Sequence, residues 1–181
     1  MQIKEIHEDI LKESSWNGLV GITITKSEDI KDDKNIDDII NQIIELKNGI
    51  VGFYNFYHDA EILEIIKKLR TEDPDRKYHF LLYITDNFNV EHFKQESFKF
   101  KLDSYIIYFI ENISQETKMD NIAFLNDFDE IIFKCTTKEN FEVIKKIMNE
   151  IDLPNATIVP QNADWVKEEI IKEKLRVRYL E

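Results

Sequence analysis

The stretch "NGIVGFYNFYHDAEILEIIKKLR", residues 48–70, carries the fold in miniature. An apolar run over 49–55 ends in Tyr54-Asn55-Phe56-Tyr57-His58-Asp59, and a helix pattern follows at once. In that pattern Ile62, Ile65, Ile66 and Leu69 recur at helical spacing and make one apolar stripe. A buried strand passing directly into an amphipathic helix is the repeating unit of parallel α/β folds. The turn between the two is where such folds usually hold ligands and reacting groups.

The same unit recurs on both sides. Strand-like runs fall at 18–25 (GLVGITIT), 78–85 (YHFLLYIT), 104–110 (SYIIYFI), 130–136 (EIIFKCT), 156–160 (ATIVP) and 175–180 (LRVRYL). Most are apolar throughout rather than alternating, as expected of strands covered on both faces. Ile36, Ile39, Ile40, Ile43 and Ile44 form a helix stripe, with Asn35 as its cap, Asp37 and Asp38 in its first turn and Gly49 past its end. Phe141, Ile144, Ile147, Met148 and Ile151 form another, opened by Thr136 and Glu139 at capping-box spacing and closed by Pro154. A shorter helix carrying Trp165, Val166 and Ile170 follows Asn162. Segments 88–101 and 112–127 read as short helices with loops. In the first fifteen residues Ile3, Ile6, Ile10 and Leu11 suit either a helix or a short edge strand. The expected architecture is one α/β domain over 1–181. Its mainly parallel sheet has six to seven strands with outer helices, either open and doubly wound or an incomplete barrel. Periodicity does not separate these two forms.

With 36 acidic against 24 basic side chains, the formal net charge is −12. That balance disfavours contact with phosphate backbones and anionic lipid, so neither nucleic acid nor membrane is expected as a partner; a protein partner is expected, with a basic surface or as a related enzyme, and a homo-oligomer is left open. A lone cysteine forbids an intramolecular disulfide. The opening residues are charged throughout, without the apolar core of a signal peptide, and no apolar run nears the roughly 20 residues of a membrane span. The expected location is the cytoplasm.

Neither G-x-x-x-x-G-K-[ST] nor G-x-G-x-x-G occurs among the four glycines, which argues against the common nucleotide folds. His7, His58, His79 and His92 have no zinc-motif spacing, so no metal site is expected. Cys135 reads as a small buried strand residue, though a helix N-terminus beside it would favour a thiolate. Parallel strands bring their C-terminal tips together. The candidate ligand cluster is therefore Asn55, His58, Asp59, Asp86, Asn87, Lys134 and Gln161. The plainer reading makes Asp59 a helix cap and the neighbouring aromatics packing residues. Glu28, Asp29, Asp32 and Asp33, in an acidic stretch, are the candidate docking residues for a basic partner.

Five segments matter in their order: "IKEIHEDI" (3–10), "NIDDIINQIIELKNGIVGFYNF" (35–56), "YHFLLYITDNF" (78–88), "DEIIFKCTTKENFEVIKKIMNEIDLPNATIVPQ" (129–161) and "LRVRYLE" (175–181). Together they resemble the small radical S-adenosylmethionine enzymes of the 7-carboxy-7-deazaguanine synthase and organic-radical activating type. The resemblance implies a partial barrel. The family's cluster-binding C-x-x-x-C-x-x-C is missing from 19–47, and its G-G-E-P turn is replaced by Tyr54-Asn55-Phe56-Tyr57. Cluster ligation needs thiolates. A degenerate, cofactor-free relative is therefore expected, with the turn at 54–57 plugging the cofactor's space and the chain acting as a binding or accessory protein. Two alternatives are an enzyme of other chemistry built on His58, Asp59, Asp86 and Lys134, and an acidic inhibitor of a nucleic-acid-binding protein.

Overall fold

The computed structural model describes residues 1–11, 14–27, 34–85, 88–110, 120–150, 155–160 and 165–179. In chain order the elements are β1 (Ile3–Ile10), β2 (Val20–Lys26), α1 (Ile36–Leu46), β3 (Ile50–Tyr54), α2 (Asp59–Glu72), β4 (His79–Ile84) and α3 (Val90–Phe100). They continue with β5 (Ser104–Ile110), a short 3₁₀ turn at Ile122–Phe124, β6 (Glu130–Cys135), α4 (Lys138–Glu150), β7 (Ala156–Pro160), α5 (Trp165–Glu173) and β8 (Arg178–Tyr179). The fold is α/β with a mainly parallel sheet. The seven strand-like runs become β2 to β8, all parallel, and β1 is added antiparallel to β2.

Strand order in the sheet equals chain order, and β1 and β8 are not paired with each other among the described residues. A doubly wound sheet needs a reversal of strand order, and there is none. Right-handed crossovers that always step in one direction put every helix on the same face. Packing bears this out. Ile22, Val51, Phe53, Leu82, Tyr108 and Phe133 share one core with the buried stripes of α1 to α5. Alternate strand residues, Leu81, Tyr83, Ile107 and Ile132, form a second cluster that contains no helix residue. The result is an open sheet with one helix-covered face and one helix-free face.

The hairpin between β1 and β2 turns at a bulge. Gly18, at φ 86°, donates its N–H to the Leu11 carbonyl while the Leu11 N–H reaches Leu19. A left-handed bulge residue of this kind favours glycine. The turn sends Leu11, fully buried, and Trp16 across the N-terminal end of the helix-free face.

Local starts and stops differ in detail from expectation. Asn35 does cap α1, accepting from the Asp37 N–H at 3.1 Å. Its left-handed end residue is Lys47, however, not Gly49. Gly49 is needed for another reason: a Cβ there would stand 2.9 Å from the Lys77 carbonyl. α2 is capped by the backbone at His58, so Asp59 is its first helical residue rather than its cap. Ile151 and Pro154 lie outside the described residues, as does the first half of 112–127.

Candidate functional site

On the helix-free face each strand contributes every second residue, and their sizes decide what space remains. Gly21 and Gly52 make room for Leu11, whose methyl carbons lie 3.2 Å from where a Cβ on Gly21 would sit and 3.7 Å from one on Gly52. Towards the C-terminal ends, Tyr54 stacks on Tyr83 with ring centroids 4.1 Å apart, and Tyr83 stacks on Phe109 at 6.0 Å. The Tyr54 and Tyr83 rings also lean over Gly52. Three neighbouring strands thus close their ligand-side end with a row of the protein's own aromatic rings. Towards the N-terminal ends Trp16 packs against Tyr105 at 5.0 Å and His79 at 6.0 Å.

A buried polar network fastens this filling. Glu130, 4% exposed, stands on the helix-free face of β6. It accepts the Ser15 N–H at 2.7 Å and the Thr157 hydroxyl at 3.1 Å, and lies 3.6 Å from the Arg178 guanidinium. Ser14 Oγ lies 3.3 Å from the Tyr83 hydroxyl, either being able to donate. A buried carboxylate is stable only with such partners. Here the partners come from the β1–β2 turn, β7 and β8, so Glu130 ties the covering turn to the far side of the sheet.

Of the residues singled out in the sequence, the described ones do not all come together: Lys134 stands apart from Asn55, His58 and Asp59. Asn55 is exposed in a left-handed conformation, at φ 62°, and His58 is exposed beside it. Asp59 turns to α3 and pairs with His92, whose pKa is raised by that hydrogen bond and by the carboxylate's charge. Lys134 lies on β6, three strands from β3, roughly 14 Å across the sheet at the usual strand spacing of about 4.8 Å. Asp86, Asn87 and Gln161 lie outside the described residues, as do Glu28, Asp29, Asp32 and Asp33. Of the bulky quartet at 54–57, only Tyr54 joins the helix-free cluster. Phe56 packs edge-on against Phe53 in the helix-side core at 5.5 Å, and Tyr57 is exposed. The filling comes instead from Leu11, Tyr83 and Phe109, which meet because β3, β4 and β5 are neighbours in the sheet and the β1–β2 turn crosses their helix-free face.

Cys135 shares the helix-side face with Ile131 and Phe133, fully buried, and burial pushes its thiol up to about 11. Neutral thiols are poor nucleophiles. Among the described residues no group of three or more His, Cys, Asp or Glu is placed to hold a metal, and no helix is long and apolar enough to cross a membrane.

Comparison with protein-family models, curated proteins and solved structures finds no match.

A cleft of about 270 Å³ does open at the opposite, N-terminal end of β4 and β5, between Arg70, Asp73, Arg76, Tyr78, Lys101 and Asp103. Several of its polar groups are already engaged. Tyr78 donates to Asp73 at 2.8 Å, Arg76 Nε lies 3.2 Å from the same carboxylate, and Arg70 donates to the Phe100 carbonyl at 2.7 Å. Burial, with the Asp73 hydrogen bond, pushes the Tyr78 phenol up to about 12. That arrangement ties the α2–β4 turn to its neighbours and leaves Tyr78 a donor.

Proposed function

We propose that this protein is a non-catalytic binding or accessory protein built on a partial-barrel fold of the radical S-adenosylmethionine type, without cluster or cofactor. One observation carries the reading: side chains of the chain itself occupy the helix-free face where a ligand of such a fold would lie. Leu11 sits over Gly21 and Gly52, and the Tyr54–Tyr83–Phe109 row closes the strand ends. Sequential strand order with helices on one face supports the comparison of folds, and fold by itself does not carry activity. The sole cysteine is on the wrong face to serve that space. The partner is a protein with a basic surface, the electrostatic complement of a net charge of −12.

Calorimetric titration with S-adenosylmethionine tests this, together with anaerobic incubation with iron and sulfide. The expected results are no heat of binding and no cluster absorbance. Binding in the micromolar range, or a stoichiometric cluster, overturns the reading.

A further inference from the structure

The sheet ends in two strands that have no outer neighbour among the described residues, and those two edges differ in charge. β1 carries Glu5, Glu8 and Asp9 against Lys4, whereas the segment from the end of α5 through β8 carries Lys174, Arg176 and Arg178, the last of them shared with Glu130 of β6. Alternation from the Leu11–Leu19 pair turns the backbone groups of Ile6, Glu8 and Ile10 outward. Acidic side chains and the irregularity between Ile3 and Glu5 guard β1 against a second β1, since like charges would then meet. A basic strand is its complement.

An independent observation points the same way. Ile10 and Val20 are opposite each other at the lower end of the hairpin, on the helix side, and are 53% and 51% exposed. Ile171, near the end of α5, is 69% exposed. Glu173 of that helix faces Lys145 of α4 at 3.7 Å. Two residues are roughly 200° of helix turn, so Ile171 points away from α4, towards the free flank beyond β8. α5 runs antiparallel to the strands, which puts Ile171 at their N-terminal end. That is the end and the face where Ile10 and Val20 are bare.

From this we infer that the chain binds a second copy of itself head to tail, the β8 edge and α5 flank of one copy against the β1 edge of the next. The sheet continues across the contact, basic strand beside acidic strand, with Ile171 seated on Ile10 and Val20. Such a contact uses different surfaces on the two copies and so builds a ring or a filament rather than a two-fold dimer.

Sedimentation velocity at physiological salt tests it, where a Debye length of roughly 8 Å lets only neighbouring charges decide. Two variants are needed: Glu5→Lys with Glu8→Lys, and Lys174→Glu with Arg176→Glu. The native chain is expected to show concentration-dependent species larger than a monomer. Each variant alone loses them, because its two edges now carry like charge, and an equimolar mixture of the two regains them. A native chain that stays monomeric into the millimolar range overturns the inference. So does association that survives in either variant alone, or a mixture that does not recover. If a charge variant loses its circular dichroism signal, Ile171→Asp decides: folded and monomeric supports the contact, folded and still associating overturns it.

Discussion

The imidazole of His92 meets the carboxylate of Asp59 across the α2–α3 boundary, and this one pair has a definite pH signature. The pair raises the imidazole above the ordinary 6.5 of a histidine. A raised folded-state value means its stabilisation is fully present below the unfolded value and is lost as pH rises through the folded one. Following the His92 ring protons by NMR should show titration above the range of a free imidazole, and Asp59→Asn should bring it back down. An unmoved midpoint in that variant would count against the pair. The residue types were visible in the sequence, yet their meeting was not. Asp59 stands at a helix start and so looked like a cap, while a partner 33 positions later is a tertiary matter.

At the scale of elements, α4 shows how a boundary slips by one residue. Thr137 Oγ1 accepts the Asn140 N–H at 3.1 Å, and Asn140 Oδ1 accepts the Thr137 N–H at 3.1 Å. This is the reciprocal capping box, one position later than Thr136 and Glu139, with asparagine in place of the acid. Thr137→Ala should cost about 1 kcal/mol in urea unfolding, and Glu139→Ala much less. The reverse order of effects would restore the earlier register. β1 holds the sharper lesson. Ile3 and Ile6 have helix spacing, but the register shift between Ile3 and Glu5 flips the alternation and sets both on the helix-side core of a strand. A bulge had imitated a helix.

For the molecule as a whole, the helix-free face is a second core whose lid comes from the N-terminal hairpin. Leu11 is its most enclosed contribution, at 0% exposed, against two glycines on neighbouring strands. Leu11→Ala should therefore destabilise the entire domain by about 2 to 5 kcal/mol, the range for emptying a packed leucine site. Chemical denaturation followed by tryptophan fluorescence reads this directly, because Trp16 lies in the same cluster. A loss well under 1 kcal/mol, with a local change at Trp16 only, would mean that the hairpin is a removable cover and that the face beneath can open.

The sequence by itself determined the seven parallel strands, the helix stripes between them and the placement of Cys135 in a core, because period and apolar content are local quantities. Tertiary structure alone decided three things. Strand order made the sheet run one way, leaving a face without helices. Side-chain parity between neighbouring strands brought Tyr54, Tyr83 and Phe109 into one row, while strand order set Lys134 on β6 apart from Asp59 just after β3. The β1–β2 turn then fell across that face, held by Glu130 115 residues away from Ser15. Each depends on which strands become neighbours, and strand neighbours are chosen by the packing of the whole chain.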